Sequence, residues 1–217
     1  MFKIAYLTVF VVSSITQTMF GQLITINAGI RSNDDGSSKL TKKDSIHIKT
    51  FSVENFDKVY TYKSKEFIDF ELFNAKDCKL LFSKSKYTWV FIQSSWCGVC
   101  VPSLKKYIQL ADSLKDEGIR IIVVNQDIQI PQLQKKIFKQ GFRYQTYIID
   151  PNVYGTMETK KQELFVSELA DGKAIEGYSS SGVPKNLFFN SKGELVYYSP
   201  INDITTQTLK EKVLKSE

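Results

Sequence analysis

The chain has 217 residues, 42% of them hydrophobic and 24% charged, with three cysteines and a net charge of +6. This composition supplies a core for one domain of common size plus an appendage, and it excludes both a disordered chain and a small disulfide scaffold. The basic excess is scattered through "KLTKKD", "KSKY", "LKKY", "LQKKIFK", "ETKKQ" and "LKEKVLK" with acids between them. It lacks the clustering and interleaved aromatics of a nucleic-acid surface, so solvated helix faces are expected and no nucleic-acid partner.

The first residues, "MFKIAYLTVFVVSSITQTMFGQ", read as a secretory signal peptide over 1–21: Lys3 opens it, Ile4 to Val12 form the apolar stretch, and Gly21 ends it with a small residue. Ser13, Ser14, Thr16, Gln17 and Thr18 interrupt the run well short of the roughly 20 apolar residues of a membrane span. An uncleaved anchor is therefore the second choice, and no membrane span is expected after cleavage. The compartment this implies is periplasmic or secreted, where disulfides persist.

Residues 22–79 read as an N-terminal extension. "RSNDDGSSKLTKKDS" is polar loop, and "HIKTFSVENFDKVYTY" alternates as one or two strands. "KEFIDFELFNAKDCKLLF" predicts a helix or two short ones, with Phe67, Phe70, Leu72 or Phe73, Leu80 and Leu81 as its apolar positions.

Punctuation is clearer over 80–217. "YTWVFIQ" is a buried strand, and "VPSLKKYIQLADSLKDEG" a helix with Leu104, Tyr107, Ile108, Ala111 and Leu114 at helical spacing, closed by Gly118. "IRIIVVNQD" is a second strand. "PQLQKKIFKQG" is a helix between Pro131 and Gly141, and "YQTYIID" a third strand. "METKKQELFVSELADG" predicts an inserted surface helix with Leu164 and Leu169 inward. "NLFFN" and "ELVYY" form a hairpin about "SKG", and "ITTQTLKEKVLKSE" a final helix with Leu209 and Val213 inward. Strands separated by helices imply a parallel sheet core with the hairpin as an antiparallel edge.

Chemistry concentrates in "SSWCGVCVPS". Cys97 and Cys100 stand two residues apart where a strand ends and a helix begins. Unpaired backbone N–H groups and the positive end of the helix dipole favour a thiolate at Cys97, and Cys100 lies within disulfide reach. Three readings compete: half of a metal clamp, a structural staple, or a dithiol that exchanges electrons with other proteins. Zinc needs about four ligands, and only Cys78 and the lone His47 remain to help, so no metal is expected. A staple across so small a loop gains little entropy. Exchange is favoured, with Cys97 attacking and Cys100 resolving the mixed disulfide. Cys78 is expected to be a small buried hydrophobe, and His47 carries no assigned chemistry.

"WCGVC" after a buried strand, followed by "SGVP" and the "FFNSKGELV" hairpin, resembles the thioredoxin-like superfamily, in particular the exported TlpA-type thiol–disulfide oxidoreductases. The resemblance implies an α/β thioredoxin fold: a central mixed sheet flanked by helices, here with an N-terminal extension and an inserted helix. It implies catalytic Cys97 and Cys100, with Trp96, Val183 and Pro184 framing the substrate groove. Pro184 would be cis, and the Val183 backbone would pair with an extended partner segment. The partners implied are protein thiols and disulfides of the cell envelope and an upstream electron donor, with no organic cofactor. The chain departs from the pattern in having Phe91 where thioredoxins bury an acid and Ser103 where TlpA-type relatives often carry glutamate. The expected function is exchange of disulfides, more as reductase than oxidase. The alternative is a binding module whose CxxC is not catalytic. A peroxidase lacks its Pro and Thr framing ahead of Cys97.

Overall fold

The computed structural model describes residues 47–60, 68–200 and 204–216. The expected signal peptide and the "RSNDDGSSKLTKKDS" loop lie outside the described residues. Seven strands form one sheet: β1 (Ile48–Thr50), β2 (Phe70–Phe73), β3 (Tyr87–Gln93), β4 (Ile119–Asn125), β5 (Thr146–Ile149), β6 (Lys185–Asn190) and β7 (Leu195–Ser199), in the order β1-β2-β5-β4-β3-β6-β7. The first five are parallel, with Val90 opposite Ile122 in β4, whereas β6 runs antiparallel to β3, with Val90 opposite Leu187, and β7 antiparallel to β6. The β6–β7 register shifts between Phe188 and Phe189.

β3 is the spine. All seven of its residues are buried, as expected for a strand covered by helices on both faces. Tyr87, Trp89 and Phe91 face a layer made by α2 (Cys100–Ser113), α3 (Ile130–Gln140) and α6 (Thr206–Lys212), where Leu104, Tyr107, Ile137 and Leu209 are buried. Val90 and Ile92 face the other layer, made by α1 (Ala75–Phe82), the short α4 (Pro151–Tyr154) and α5 (Glu158–Leu169). Trp89 satisfies its one donor in the core, giving its indole N–H to Asn186 Oδ1 at 3.1 Å.

Two expectations are corrected. Phe70–Phe73 is a strand, paired on one side with Ile48–Thr50 and on the other with β5, and only the second half of the expected helix, Ala75–Phe82, is helical. All four residues of β2 are buried, Glu71 among them, so both faces of the strand are covered. Asn74 starts α1 with a capping box: its side chain accepts the Asp77 N–H, and the Asp77 carboxylate accepts the Asn74 N–H. Helix α1 turns Leu81 inward and leaves Leu80 exposed. The boundary expected between 79 and 80 falls inside this helix.

The second correction concerns α5. Leu169 is buried as expected, but Leu164 is 40% exposed. The face that enters the domain carries Phe165 and Val166 together with Lys161 and Gln162, so two polar residues occupy positions that an apolar stripe would fill. Gly118 ends the turn into β4 at φ 78°, and a Cβ there would stand 2.7 Å from the Lys86 Cβ. That position needs glycine for both its backbone angle and its clearance.

Candidate active site

β3 and β4 are apolar along most of their length and then end in buried polar residues. Gln93, Ser94 and Ser95 follow the first, and Asn125, Gln126 and Asp127 close the second. The two ends are tied: Gln93 Nε2 donates to Asn125 Oδ1 at 3.1 Å, and the Gln126 N–H donates to the Gln93 carbonyl at 2.9 Å. Buried polar groups persist where they are bonded. Here they fix the point at which the chain leaves the sheet toward Cys97.

Cys97 and Cys100 form a disulfide, with their Cα atoms 5.4 Å apart. Cys100 is the first residue of α2, and its N–H points at Cys97 Sγ at 3.1 Å. Cys97 therefore sits against the open start of a 14-residue helix, where unpaired N–H groups concentrate partial positive charge. Both cysteines are buried, while Trp96 and Val99 beside them are 58% and 53% exposed. Ser103, one turn in, donates its hydroxyl to the Val99 carbonyl at 2.7 Å and braces that first turn.

The turn that presents Cys97 is held residue by residue. Asp127 accepts the Ser95 N–H, 3.1 Å from each carboxylate oxygen, and also the Ser95 hydroxyl. Trp96 Nε1 donates to Glu158 Oε2 of α5 at 3.0 Å. Lys136 of α3 donates to the Cys97 carbonyl at 3.1 Å. Burial pushes the Asp127 carboxyl above the usual carboxylate range, against the pull of its hydrogen bonds to Ser95. Burial also depresses Lys161, to about 8, while Glu158, Asp127 and Asp150 act to keep it protonated.

Opposite this turn the chain approaches β6. The Val183–Pro184 peptide bond is cis, Pro184 is buried, and the Val183 carbonyl oxygen lies 3.7 Å from Cys97 Sγ. This second lip is also tied down. Gln162 Nε2 of α5 donates to the Ser180 carbonyl at 3.1 Å, and Lys185 Nζ donates to the Ser181 carbonyl at 2.9 Å. Burial lowers the Lys185 pKa.

The structure thus gathers Trp96, Cys97, Cys100, Val183 and Pro184 at one end of the sheet. A strand leads into a CxxC that opens a helix, and a cis-proline faces it from the first residue before an antiparallel hairpin strand. The fold is that of the thioredoxins. No protein-family model matches the sequence, and no curated protein matches it. Similar solved structures include a thiol:disulfide interchange protein from a Bacteroides species, 18% identical over 60% of this chain and 75% of that one, with a TM-score of 0.42. Another is a thioredoxin-family thiol:disulfide interchange protein from Chlorobium tepidum, 16% identical over 60% and 81%, TM-score 0.44. A third is a secreted disulfide oxidoreductase of Mycobacterium tuberculosis, 12% identical over 75% and 98%, TM-score 0.42. The fold assignment stands on the strand order and the meeting of the two lips, not on these likenesses.

Sequence reasoning passed over Asp127, Lys136, Glu158, Lys161, Gln162 and Lys185. One signal was available: "NQD" ends an apolar strand run with three polar residues at the same end of the sheet as "QSS". Lys136, Glu158, Lys161 and Gln162 lie on helices, where a polar or charged residue reads as solvated surface, and Lys185 opens β6. Among the described residues no group of three or more His, Cys, Asp or Glu is placed to hold a metal ion, and no helix is long and apolar enough to cross a membrane.

Proposed function

We propose that this protein is an exported thiol–disulfide oxidoreductase that exchanges disulfides with proteins of the cell envelope. The observation that carries the reading is the Cys97–Cys100 disulfide at the mouth of α2, with the Val183 main chain 3.7 Å from Cys97 Sγ. A main-chain acceptor beside the cysteine pair supports a short strand-like contact with an extended peptide.

In the reducing direction the Cys97 thiolate attacks one sulfur of a partner disulfide. A Cys97–partner disulfide forms, and the other partner sulfur leaves as a thiolate that takes up a proton. The Cys100 thiolate then attacks Cys97 Sγ, which releases the second partner thiol and closes Cys97–Cys100. Two electrons and two protons pass to the partner, and a dithiol protein upstream must supply them again. The N–H of Cys100 and the helix dipole stabilise the thiolate in the attacking form. Gly98 and Val99 add no charge beside the sulfur, which supports the reducing direction. Export is supported by the signal-like residues 1–21.

Reduction of insulin by dithiothreitol tests the reading. The protein is expected to accelerate precipitation of the insulin B chain, and Cys97→Ser is expected to lose that acceleration by at least about a hundredfold. Equal rates with the two proteins would favour a binding module whose CxxC is not catalytic, a reading supported by the absence of a carboxylate at Phe91 and Ser103.

A further inference from the structure

Helix α5 touches both lips of the cleft. Its first residue, Glu158, accepts the Trp96 indole N–H at 3.0 Å, and Gln162, one turn later on the same face, donates to the Ser180 carbonyl at 3.1 Å. Residues four apart on a helix stand one above the other, about 6 Å along the axis. Between them Lys161 is almost fully buried, and Asp127, which holds Ser95, is among the acids that act to keep it protonated. The helix is anchored from behind by Phe165, Val166 and Leu169 in the core, so its position is set by packing rather than by the cleft.

We propose that α5 is the gauge of the substrate cleft, fixing the distance between the Trp96–Cys97 lip and the Ser180–Val183 lip, with Glu158 and Gln162 as positioning residues that select for protein over small-molecule disulfides. This rests on the exchange reading above. A partner protein must lie across both lips, pairing with the Val183 main chain while its sulfur meets Cys97, so a slackened span weakens its binding. A small disulfide meets the Cys97 sulfur without spanning the cleft and is indifferent to the second lip. The two contacts differ in exposure. Glu158 is half-buried and Gln162 wholly buried, so the first can be removed with little risk to folding.

The test uses the full chain, pre-reduced and mixed in single turnovers with insulin or with the small aromatic disulfide DTNB. Each lost hydrogen bond is expected to raise the half-saturating insulin concentration about threefold to tenfold. Glu158→Ala and Gln162→Met should each show this, with a loss toward DTNB at least about threefold smaller than the loss toward insulin. Glu158→Gln, which keeps an acceptor for the indole, should restore insulin binding. Equal losses toward insulin and DTNB would overturn the proposal, because they would mean that the substitutions damage the cysteine pair itself. So would unchanged insulin binding in both variants. If Gln162→Met does not fold, the Glu158 pair of variants decides alone. An unsubstituted protein inert toward insulin would overturn the exchange reading and this inference with it, and that result comes from the arm that carries no change.

Discussion

Two buried cysteine environments lie on opposite sides of the same sheet, and they differ in everything except burial. Cys78 on α1 is wholly enclosed by the layer that includes Phe73, Phe82, Val90 and Phe165, and burial pushes its thiol well above the ordinary range. Cys97 is almost as buried, yet its sulfur receives the Cys100 N–H and faces the Val183 carbonyl oxygen. Its flanking residue Ser95 is bonded to an acid, and its own carbonyl is bonded to a lysine. The lesson is that enclosure alone does not decide whether a thiol reacts. The polarity of the enclosing groups does, because the thiolate is stable only where N–H groups replace the water it has lost.

The most direct way to break this contrast is alkylation of the reduced protein with iodoacetamide at pH 7. Cys97 is expected to label at least about a thousandfold faster than Cys78, which should react only on unfolding. Comparable labelling, read by peptide mass spectrometry, would erase the distinction. Next in size, Phe82→Ala should cost about 3–5 kcal/mol in urea unfolding, because the ring is buried and stacked on Phe189 with centroids 4.5 Å apart. Its effect on the labelling rate of Cys97 should stay within about twofold, since the ring belongs to the layer away from α2.

Titration of stability sharpens the same contrast through signs. Lys161, near the site, is depressed to about 8 from its ordinary 10.5. Between those values the native protein has shed a proton that the unfolded chain still holds, so Lys161 makes stability rise with pH by up to about 1.4 kcal/mol per unit. Cys78 has the opposite sign. Its pKa is raised from the ordinary 9.0, so above that pH the unfolded chain loses a proton that the native one keeps, and stability falls. Urea unfolding of Lys161→Met should therefore lack the rise from pH 8 to 9, and Cys78→Ala should lack the later fall. Tyr178, held up to about 12 by burial, adds to that fall above pH 10 in both proteins. The smallest effect expected is that of Cys78→Ala at pH 7, about 1 kcal/mol. The reduction potential of the Cys97–Cys100 pair, measured against glutathione, should be unchanged, and a shift would mean that the two environments communicate.

Much of this fold was legible because strands β3 to β5 are short apolar runs bracketed by Gly118, Pro131 and Gly141, and because the CxxC sits where strand and helix meet. β2 was misread although Ile68, Phe70 and Leu72 alternate with Asp69 and Glu71, because the run is short, Phe70 and Phe73 also stand three apart as on a helix, and the chain passes through Asn74 straight into the helical "AKDCKLLF". Leu164 misled in the same way, since α5 spends its inward face on Lys161 and Gln162. The cysteines, Trp96 and the Val183–Pro184 pair could be named from local motifs. Asp127 left one trace, the polar "NQD" at the end of an apolar run, whereas Lys136, Glu158 and Gln162 left none, because what they do depends on which distant group each one meets, and a polar residue on a helix carries no mark of its partner.

The irregular register between Phe188 and Phe189 has a bearing on self-association. Any sheet runs the danger of accepting copies of itself wherever a strand lies at a rim. β7 is such a rim, and the bulge beside it breaks the straight run of donors and acceptors that a neighbouring molecule would have to match. Addition of a second copy at that rim is thereby discouraged.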